Sequence, residues 1–338
     1  MRKIFLLLAL PALVFGQRWN AGAVGNSASL RGVSARSSQD VWVSGTGGSI
    51  FHFDGTTWRL SHIPKTESLD FRGIVALSAH VVLVMSSGEG SVSRVYRTID
   101  DGASWNLVLT NPDPKGFFDS VAFWDLMNGI LLGDPVDGRF AIFTTADGGA
   151  TWARRPGGAA LPGEGAFAAS NSAMIVGGKD IAWFGSGGVG AARLFRSADA
   201  GKSWAVFPTG MRNDEAGSGI FSLAWFGDNE IIAVGGNFSK PLEQERNVAI
   251  IRGEGGARRK PTARPSGYKS AVVWLPGPKI LIATGPNGSE ISYHESADWT
   301  SFDSHAFNTL AVALDGSCWA AGPKGAVARL VLPANGAN

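Results

Sequence analysis

Short apolar segments recur along the entire chain, and stretches rich in glycine and small polar residues separate them. Residues 41–45, 231–235 and 280–285 are typical, because each is an apolar run that ends at a glycine. Runs of about four to eight apolar residues between turn residues favour buried β-strands, since helices need about 10 residues or more. The pattern therefore predicts an all-β protein built from many short strands.

The predicted strands group into periods of about 40 to 54 residues. Each period opens with an apolar strand that begins with a large side chain, and three further strand-like runs follow it. The large residues that open the periods are Leu30, Phe71, Phe118, Phe167, Phe221, Tyr268 and Phe307. Four strands in a period of this length are typical of a propeller blade, so the sequence predicts a seven-bladed β-propeller.

A turn motif accompanies these strands. Residues 98–105, 145–152 and 197–204 all fit the pattern Ser/Thr-x-Asp-x-Gly-x-Ser/Thr-Trp. Asp and Ser/Thr side chains bond to the backbone of tight turns, Gly adopts positive φ, and Trp packs beneath the hairpin. One active site does not need three copies around a ring, so we expect a structural role for the repeated residues Asp100, Gly102, Trp105, Asp147, Gly149, Trp152, Asp199, Gly201 and Trp204.

The spacing of the tryptophans gives the same number of repeats. The three intervals from Trp58 to Trp204 are 47, 47 and 52 residues. The next interval, 95 residues to Trp299, spans two periods, with the glycine-rich residues 253–256 at the turn that lacks a Trp. Trp19 precedes Trp58 by 39 residues. Counting the turn without a Trp, this series also predicts seven repeats.

The two ends of the chain are predicted to share one blade. The last repeat stops after residues 327–332 without a fourth strand, and residues 18–20 supply such a strand near the start. Closing the ring in this way leaves only short, protected strand edges. Residues 17–338 are therefore expected to form a single domain, closed by an N-terminal strand that completes the last blade.

Residues 1–16 have the pattern of a signal peptide, with Arg2 and Lys3 before an apolar run and a small-residue cleavage pattern. The run is too short to cross a bilayer, which takes about 20 residues. We expect an exported protein, periplasmic or secreted, without stable membrane insertion after cleavage. Because the segment carries two basic residues, cleavage takes the formal net charge from +2 to 0. The sequence thus offers no electrostatic basis for binding nucleic acid.

Composition agrees with a β-rich globular domain that packing alone must stabilise. Hydrophobic residues make up 44% of the chain, charged residues only 17%, and there are 46 glycines, as many short buried strands and tight turns require. The single cysteine, Cys318, has no partner for an internal disulfide. Its apolar surroundings in the sequence predict a small buried core residue.

The turn motif resembles the Asp-box, or BNR repeat, of the sialidase-type propeller superfamily. The fuller pattern in residues 40–58 and 94–105 is similar to the photosystem II stability/assembly factor family, and this resemblance extends at repeat level over nearly the whole mature chain. The resemblance implies a cofactor-free propeller that binds a partner protein during assembly of a larger complex. The Asp-box specifies fold and leaves function open, since enzymes and non-enzymes both contain it.

Several enzymatic motifs are absent or misplaced. A sialidase would need an Arg-Ile-Pro segment and a Tyr nucleophile, but the segment does not occur and Tyr96, Tyr268 and Tyr293 lie in strand positions. Residues 185–190 fit G-x-G-x-x-G, yet a strand and not a helix is predicted to follow, so we interpret them as a hairpin loop. The five histidines show no metal-ligand spacing. We therefore expect no metal or other cofactor.

Charged residues that interrupt the repeat are the candidate binding site. The residues that follow the period-opening side chains are predicted to line the central channel, where Arg31, Arg72 and Lys269 with Asp119 would form a charged channel or rim. Turn-rich stretches provide a second candidate set: Asp134, Asp137, Arg139 and Glu164. We expect an exported, non-enzymatic propeller that binds a protein partner. The alternative is a carbohydrate-active or glycan-binding propeller that uses the rim carboxylates Asp119, Asp134, Asp137 and Glu164.

Overall fold

A computed structural model describes residues 16–227, 229–252, 258–259, 263–293 and 298–333. The predicted signal peptide, except Gly16, and the glycine-rich residues 253–256 lie outside the described residues. The described chain forms seven antiparallel sheets of four strands each, arranged in a ring. The prediction of a seven-bladed β-propeller is confirmed.

In blades 1 to 6 the strands run from the ring centre outward in chain order, whereas in blade 7 the outermost strand is the N-terminal strand β1. Blade 1 contains β2 (Leu30–Ser37), β3 (Asp40–Gly45), β4 (Ser49–Phe53) and β5 (Trp58–Ser61). Blade 2 contains β6 (Phe71–Ala76), β7 (Val82–Ser86), β8 (Arg94–Thr98) and β9 (Asn106–Thr110). Blade 3 contains β10 (Phe118–Phe123), β11 (Gly129–Val136), β12 (Arg139–Thr145) and β13 (Ala153–Arg155). Blade 4 contains β14 (Met174–Gly177), β15 (Ile181–Gly185), β16 (Arg193–Ser197) and β17 (Ala205–Pro208).

The last three blades complete the ring. Blade 5 contains β18 (Ser218–Phe226), β19 (Glu230–Asn237), β20 (Val248–Arg252) and β21 (Arg258–Arg259). Blade 6 contains β22 (Ala271–Leu275), β23 (Ile280–Gly285), β24 (Gly288–Tyr293) and β25 (Trp299–Asp303). Blade 7 contains β26 (Thr309–Val312), β27 (Cys318–Ala321), β28 (Ala326–Val331) and β1 (Arg18–Ala23). Two short 3₁₀ turns occur at Gly90–Val92 and Pro323–Gly325.

The N-terminal strand closes the ring, as the sequence predicts. β1 pairs antiparallel with β28 along its full length, from Arg18 opposite Val331 to Ala23 opposite Ala326. Its one buried side chain, Trp19, packs between blades 6 and 7, where its Nε1 donates a 2.9 Å hydrogen bond to Ser289 Oγ. The first strand of the described chain therefore joins the last blade to its neighbour.

Apolar packing between blades forms the core. Among the described residues, one hydrophobic cluster lies at each of the seven interfaces between adjacent blades. The strands alternate side chains between their two faces, and both faces of each sheet are covered by a neighbour, which explains the near-continuous apolar runs. Cys318 is buried in the cluster between blades 6 and 7.

Antiparallel pairing divides the connections between two faces of the ring. The loops from the second to the third strand of a blade, and those from one blade to the next, lie on one face, which we call the pocket face. The remaining loops, including the three Trp-marked turns at residues 98–105, 145–152 and 197–204, lie on the opposite face, which we call the turn face. Positions far apart in sequence therefore share a surface.

Blade 4 departs from the repeat. Leu30, Phe71 and Phe118 begin the innermost strands of blades 1 to 3 as predicted, but in the other blades the prediction is wrong. Phe221 lies inside β18, and Tyr268 and Phe307 lie shortly before β22 and β26. Phe167 departs most, because β14 begins only at Met174. Residues 167–172 instead cross the channel, and we call them the plug segment. Four of its six residues are Ala or Ser, whose small side chains allow the backbone to pass through the narrow channel.

The plug segment is fixed by hydrogen bonds to five other blades. Asn171, at φ 62°, accepts a 2.9 Å bond from Val121 N and donates a 3.1 Å bond to Val121 O. The other bonds reach blades 2, 5, 6 and 7, and their partners are Arg72, Ser222, Ser270 and Thr309. Because these groups satisfy each other, polar backbone can be buried at the ring centre.

Candidate functional site

A cavity of about 410 Å³ lies at the channel mouth on the pocket face, above the plug segment. Six of the seven blades contribute to it, and its lining residues are Arg31, Arg72, Phe167, Ala168, Ala169, Phe221, Phe238, Tyr268, Ser270, Pro286 and Asn308. None of these lining residues is acidic. The ring thus brings together two predicted site residues, Arg31 and Arg72, from blades 1 and 2.

The two arginines differ in how they are paired. Arg72 Nε donates a 2.7 Å hydrogen bond to Asp70 Oδ2, and its Nη1 donates to the backbone oxygen of Ala168 at 3.3 Å. Arg31 Nε is buried and has no hydrogen-bond partner among the described residues. Burial, followed by repulsion from Arg72, lowers the pKa of Arg31. A guanidinium in this environment favours an incoming anion.

Aromatic rings form a second part of the cavity wall. Phe167 of the plug segment stacks on Phe221, with ring centroids 3.9 Å apart and an interplanar angle of 10°. Tyr268 meets Phe221 edge-on at 4.7 Å, and burial raises the pKa of Tyr268, which keeps its hydroxyl neutral. Phe238 stands at the rim with 53% of its surface exposed. The wall is therefore apolar and partly open to solvent.

Two of the predicted channel residues, Asp119 and Lys269, do not line the cavity. Lys269 is fully buried and its Nζ lies 3.1 Å from Glu290 Oε1, which compensates its charge. Asp119 is also fully buried, and neither of its carboxyl oxygens has a hydrogen-bond partner among the described residues. Burial, together with repulsion from Asp134, raises the pKa of Asp119 well above its usual range. This shift favours the uncharged form.

The second predicted set lies on the pocket face, and its members differ in burial and in partners. Glu164 is buried and forms an ion pair with Arg193, whose Nε donates to Glu164 Oε1 at 2.9 Å. Asp134 accepts a 2.9 Å hydrogen bond from Ala166 N, and burial raises its pKa to about 6. The neighbouring hairpin residues Asp137 and Arg139 are exposed. The carboxylates are thus separated between buried and exposed positions.

The repeated Asp residues belong to turns that fold alike. Thr145 Oγ1 and Thr151 N donate to Asp147 Oδ1 at 2.8 and 2.9 Å, and hydrogen bonds from Thr151 lower the pKa of Asp147 to about 2. Asp100 and Asp199 accept the equivalent bonds in their own turns. The matching glycines Gly102, Gly149 and Gly201 have φ of 78°, 81° and 84°.

The Trp-marked turns also contact the preceding blade. Trp105 Nε1 donates a 2.9 Å hydrogen bond to Ser61 Oγ of blade 1, and Ser61 Oγ donates to Gly102 O at 2.7 Å. In the next turn, Trp152 Nε1 instead donates to Gly149 O at 3.2 Å. These contacts are all on the turn face, away from the cavity.

The sequence offered little indication of the aromatic wall. Phe238 directly precedes an irregular stretch at residues 239–247, and an aromatic residue beside such an interruption is a weak signal for a site. Asp70, which pairs with Arg72, lies just before β6 in an ordinary connection. Their proximity to the cavity depends on ring closure.

In the described part of the chain, no group of three or more His, Cys, Asp or Glu side chains is placed to hold a metal ion. No helix within the described ranges has the length and apolar character needed to cross a membrane.

Seven four-stranded blades around a blind axial cavity define a seven-bladed β-propeller. The chain resembles two solved YCF48 structures. One, YCF48 bound to D1 peptide, has 15% identity over 97% of this chain and 99% of that one, with a TM-score of 0.64. The other, YCF48 from Cyanidioschyzon merolae, has 14% identity over 92% and 98%, with a TM-score of 0.63.

A streptogramin B lyase structure is equally similar, with 13% identity over 94% of this chain and 99% of that chain and a TM-score of 0.67. No family model and no curated protein matches the sequence. At these identities the likeness extends to the fold alone, because propellers with unrelated functions share it.

Proposed function

We propose that this chain is an exported, non-enzymatic β-propeller that binds a protein partner through its pocket face and assists the assembly or stability of a larger complex. The cavity at the channel mouth carries the proposal. It combines the arginines Arg31 and Arg72 with an apolar wall, and Phe238 extends that wall to the surface. Exposed aromatic residues beside arginine are typical of the centres of protein interfaces.

Three further observations support the proposal. The turn motif is that of Asp-box repeats, which we assign a structural role in holding successive blades together. One structure of similar fold is YCF48 bound to D1 peptide, so a propeller of this shape is able to hold a peptide. The basic and apolar start of the sequence has the pattern of a signal peptide, which supports the proposed export.

The geometry favours binding over glycoside chemistry. A glycosidase needs two carboxyl groups about 5 to 10 Å apart across an accessible cleft. Here Asp119 is buried, Glu164 is occupied by Arg193, and the cavity lining contains no acidic residue. The rim carboxylates therefore do not supply the arrangement that the carbohydrate-active alternative requires.

Affinity capture tests the proposed function. The full-length chain with a C-terminal tag is used to capture partners from the exported fraction of its host, and bound proteins are quantified by mass spectrometry. We expect to capture a partner, and we expect Phe238→Ala to lower the captured amount at least about ten-fold, as loss of an interface hot spot does. Leu126→Ala is the control, because Leu126 is 62% exposed on the turn face.

Equal capture by Phe238→Ala and the control would contradict the pocket face as the interface. Absence of any partner, together with glycan turnover that Asp134→Asn abolishes, would favour the carbohydrate-active alternative.

A further inference from the structure

The charges around the cavity do not cancel. Arg72 is paired with Asp70 at 2.7 Å, and Lys269 is paired with Glu290 at 3.1 Å. Asp119 contributes little negative charge, because burial favours its uncharged form. Asp70 also attracts Arg31, but its Oδ2 already pairs with Arg72, so two arginines share one carboxylate and a net positive charge lines the cavity. Burying such an excess charge is costly, and a bound anion would reduce that cost.

The shape of the cavity limits the ligand that supplies this anion. A volume of about 410 Å³ is near the lower end of ligand pockets, which run from about 300 to 1,000 Å³, so it suits a compact molecule or one anchoring residue. The plug segment closes its floor through Asn171 and its neighbours, so a chain cannot thread through the ring. The occupant must enter and leave by the mouth.

The aromatic part of the cavity wall indicates that the ligand also carries an apolar group. Phe167, Phe221 and Tyr268 form a packed aromatic surface that lines the same cavity as the arginines. A small inorganic anion would leave this surface uncovered, whereas a planar or branched apolar group would bury it. A cationic ligand is disfavoured, because both Arg31 and Arg72 would repel it.

From these observations we infer that the cavity binds a monoanionic carboxylate with an adjacent aromatic group, and that Arg31 holds the carboxylate while the Phe167–Phe221 pair contacts the ring. This inference gives the chemistry of the site in the proposed function. The carboxylate belongs either to a free small acid or to the C-terminal residue of the partner, and only the second assignment rests on the proposed function.

Isothermal titration calorimetry on the full chain tests the inference with defined probes. We expect 3-phenylpropanoate to bind, and 3-phenylpropanamide to bind at least about ten-fold more weakly, because a charge-assisted hydrogen bond is lost. Arg31→Gln should weaken the binding of 3-phenylpropanoate by a similar factor. Arg155→Gln is the control, since Arg155 is an exposed arginine on β13, the outermost strand of blade 3.

Two further arms identify the source of the carboxylate. Tighter binding of a hexapeptide with a free C-terminal phenylalanine than of 3-phenylpropanoate would assign the site to a chain end, and equal binding would assign it to a free acid. Inorganic phosphate should not compete with either probe.

Equal binding of acid and amide by the unmodified chain would overturn the inference, whether or not Arg31→Gln folds. Equal competition by phosphate would overturn it as well. Capture of a protein partner without binding of any carboxylate probe would overturn this inference and leave the proposed function intact. Binding of the free acid without a protein partner would support the inference and contradict the proposed function.

Discussion

Replacing Trp19 by alanine should strongly destabilise the ring, because this side chain joins β1 to blades 6 and 7. Trp19 is 5% exposed and contacts Phe302 and Phe307 with ring centroids 6.0 and 5.4 Å away. Truncating a buried Trp costs about 3–5 kcal/mol. Losing the hydrogen bond to Ser289 adds about 1 kcal/mol, since Ser289 keeps its bond to Thr284.

The expected change in melting temperature follows from the size of the protein. At about 2.1 cal/mol/K per residue, a chain of 338 residues has an unfolding entropy of about 0.7 kcal/mol/K. A loss of about 4–6 kcal/mol then lowers the melting temperature by about 6–9 °C. Differential scanning calorimetry measures this directly.

Asn20→Ala provides the matched control, because Asn20 is exposed on the same strand and keeps its backbone pairing with Arg329. It should change the melting temperature by about 1 °C or less, as exposed substitutions usually do. A melting temperature for Trp19→Ala within about 1 °C of this control would refute closure of the ring through Trp19. An unchanged melting temperature after deletion of residues 17–28 would refute the closure altogether.

Two further substitutions test the turns and the buried carboxyl. Gly102→Ala should destabilise the protein more than Gly138→Ala. Both residues have positive φ, which costs alanine about 1–2 kcal/mol. At Gly102 a Cβ would also lie 2.8 Å from Trp42, which adds about 1–3 kcal/mol, whereas the space around Gly138 is open. Equal losses of unfolding free energy for the two variants in urea would contradict the predicted clash with Trp42. Because burial raises the pKa of Asp134 to about 6, its ionisation should cost the native state about 2 kcal/mol of unfolding free energy between pH 4 and pH 8. Asp134→Asn should make the decline with rising pH smaller by that amount and leave the part that buried Asp119 contributes, whereas the exposed Asp137→Asn should retain the full decline. Parallel pH profiles for both variants would contradict the burial effect.

Local patterns in the sequence were sufficient for the architecture. Short apolar runs, the repeated large side chains and the Trp spacing predict four strands per period and seven periods, because these signals arise within single blades. The strand at Trp19 was also predictable, since the last repeat lacks its fourth strand. Export through residues 1–16 and the structural role of the Asp-box residues remain predictions.

The plug segment shows where local pattern failed. Phe167 has the residue type of a strand opener, yet its surroundings in the ring decide its role, and β14 begins only at Met174. Asn171 satisfies both backbone groups of Val121 in another blade. No property of residues 167–172 alone indicates that partner, because the hydrogen bonds exist only once five other blades surround the axis.

The sequence by itself determined the fold class, the number of blades, the closure of the ring and the presence of Arg31 and Arg72 near the channel. The tertiary structure decided which charges face the cavity. Lys269 and Asp119 occupy positions in the repeat comparable to Arg31, but both are buried. Lys269 forms an ion pair with Glu290, whereas the carboxyl oxygens of Asp119 have no hydrogen-bond partner among the described residues. Repetition fixes the backbone of each blade, whereas burial and pairing depend on neighbours contributed by other blades, and these neighbours are set only when the ring closes.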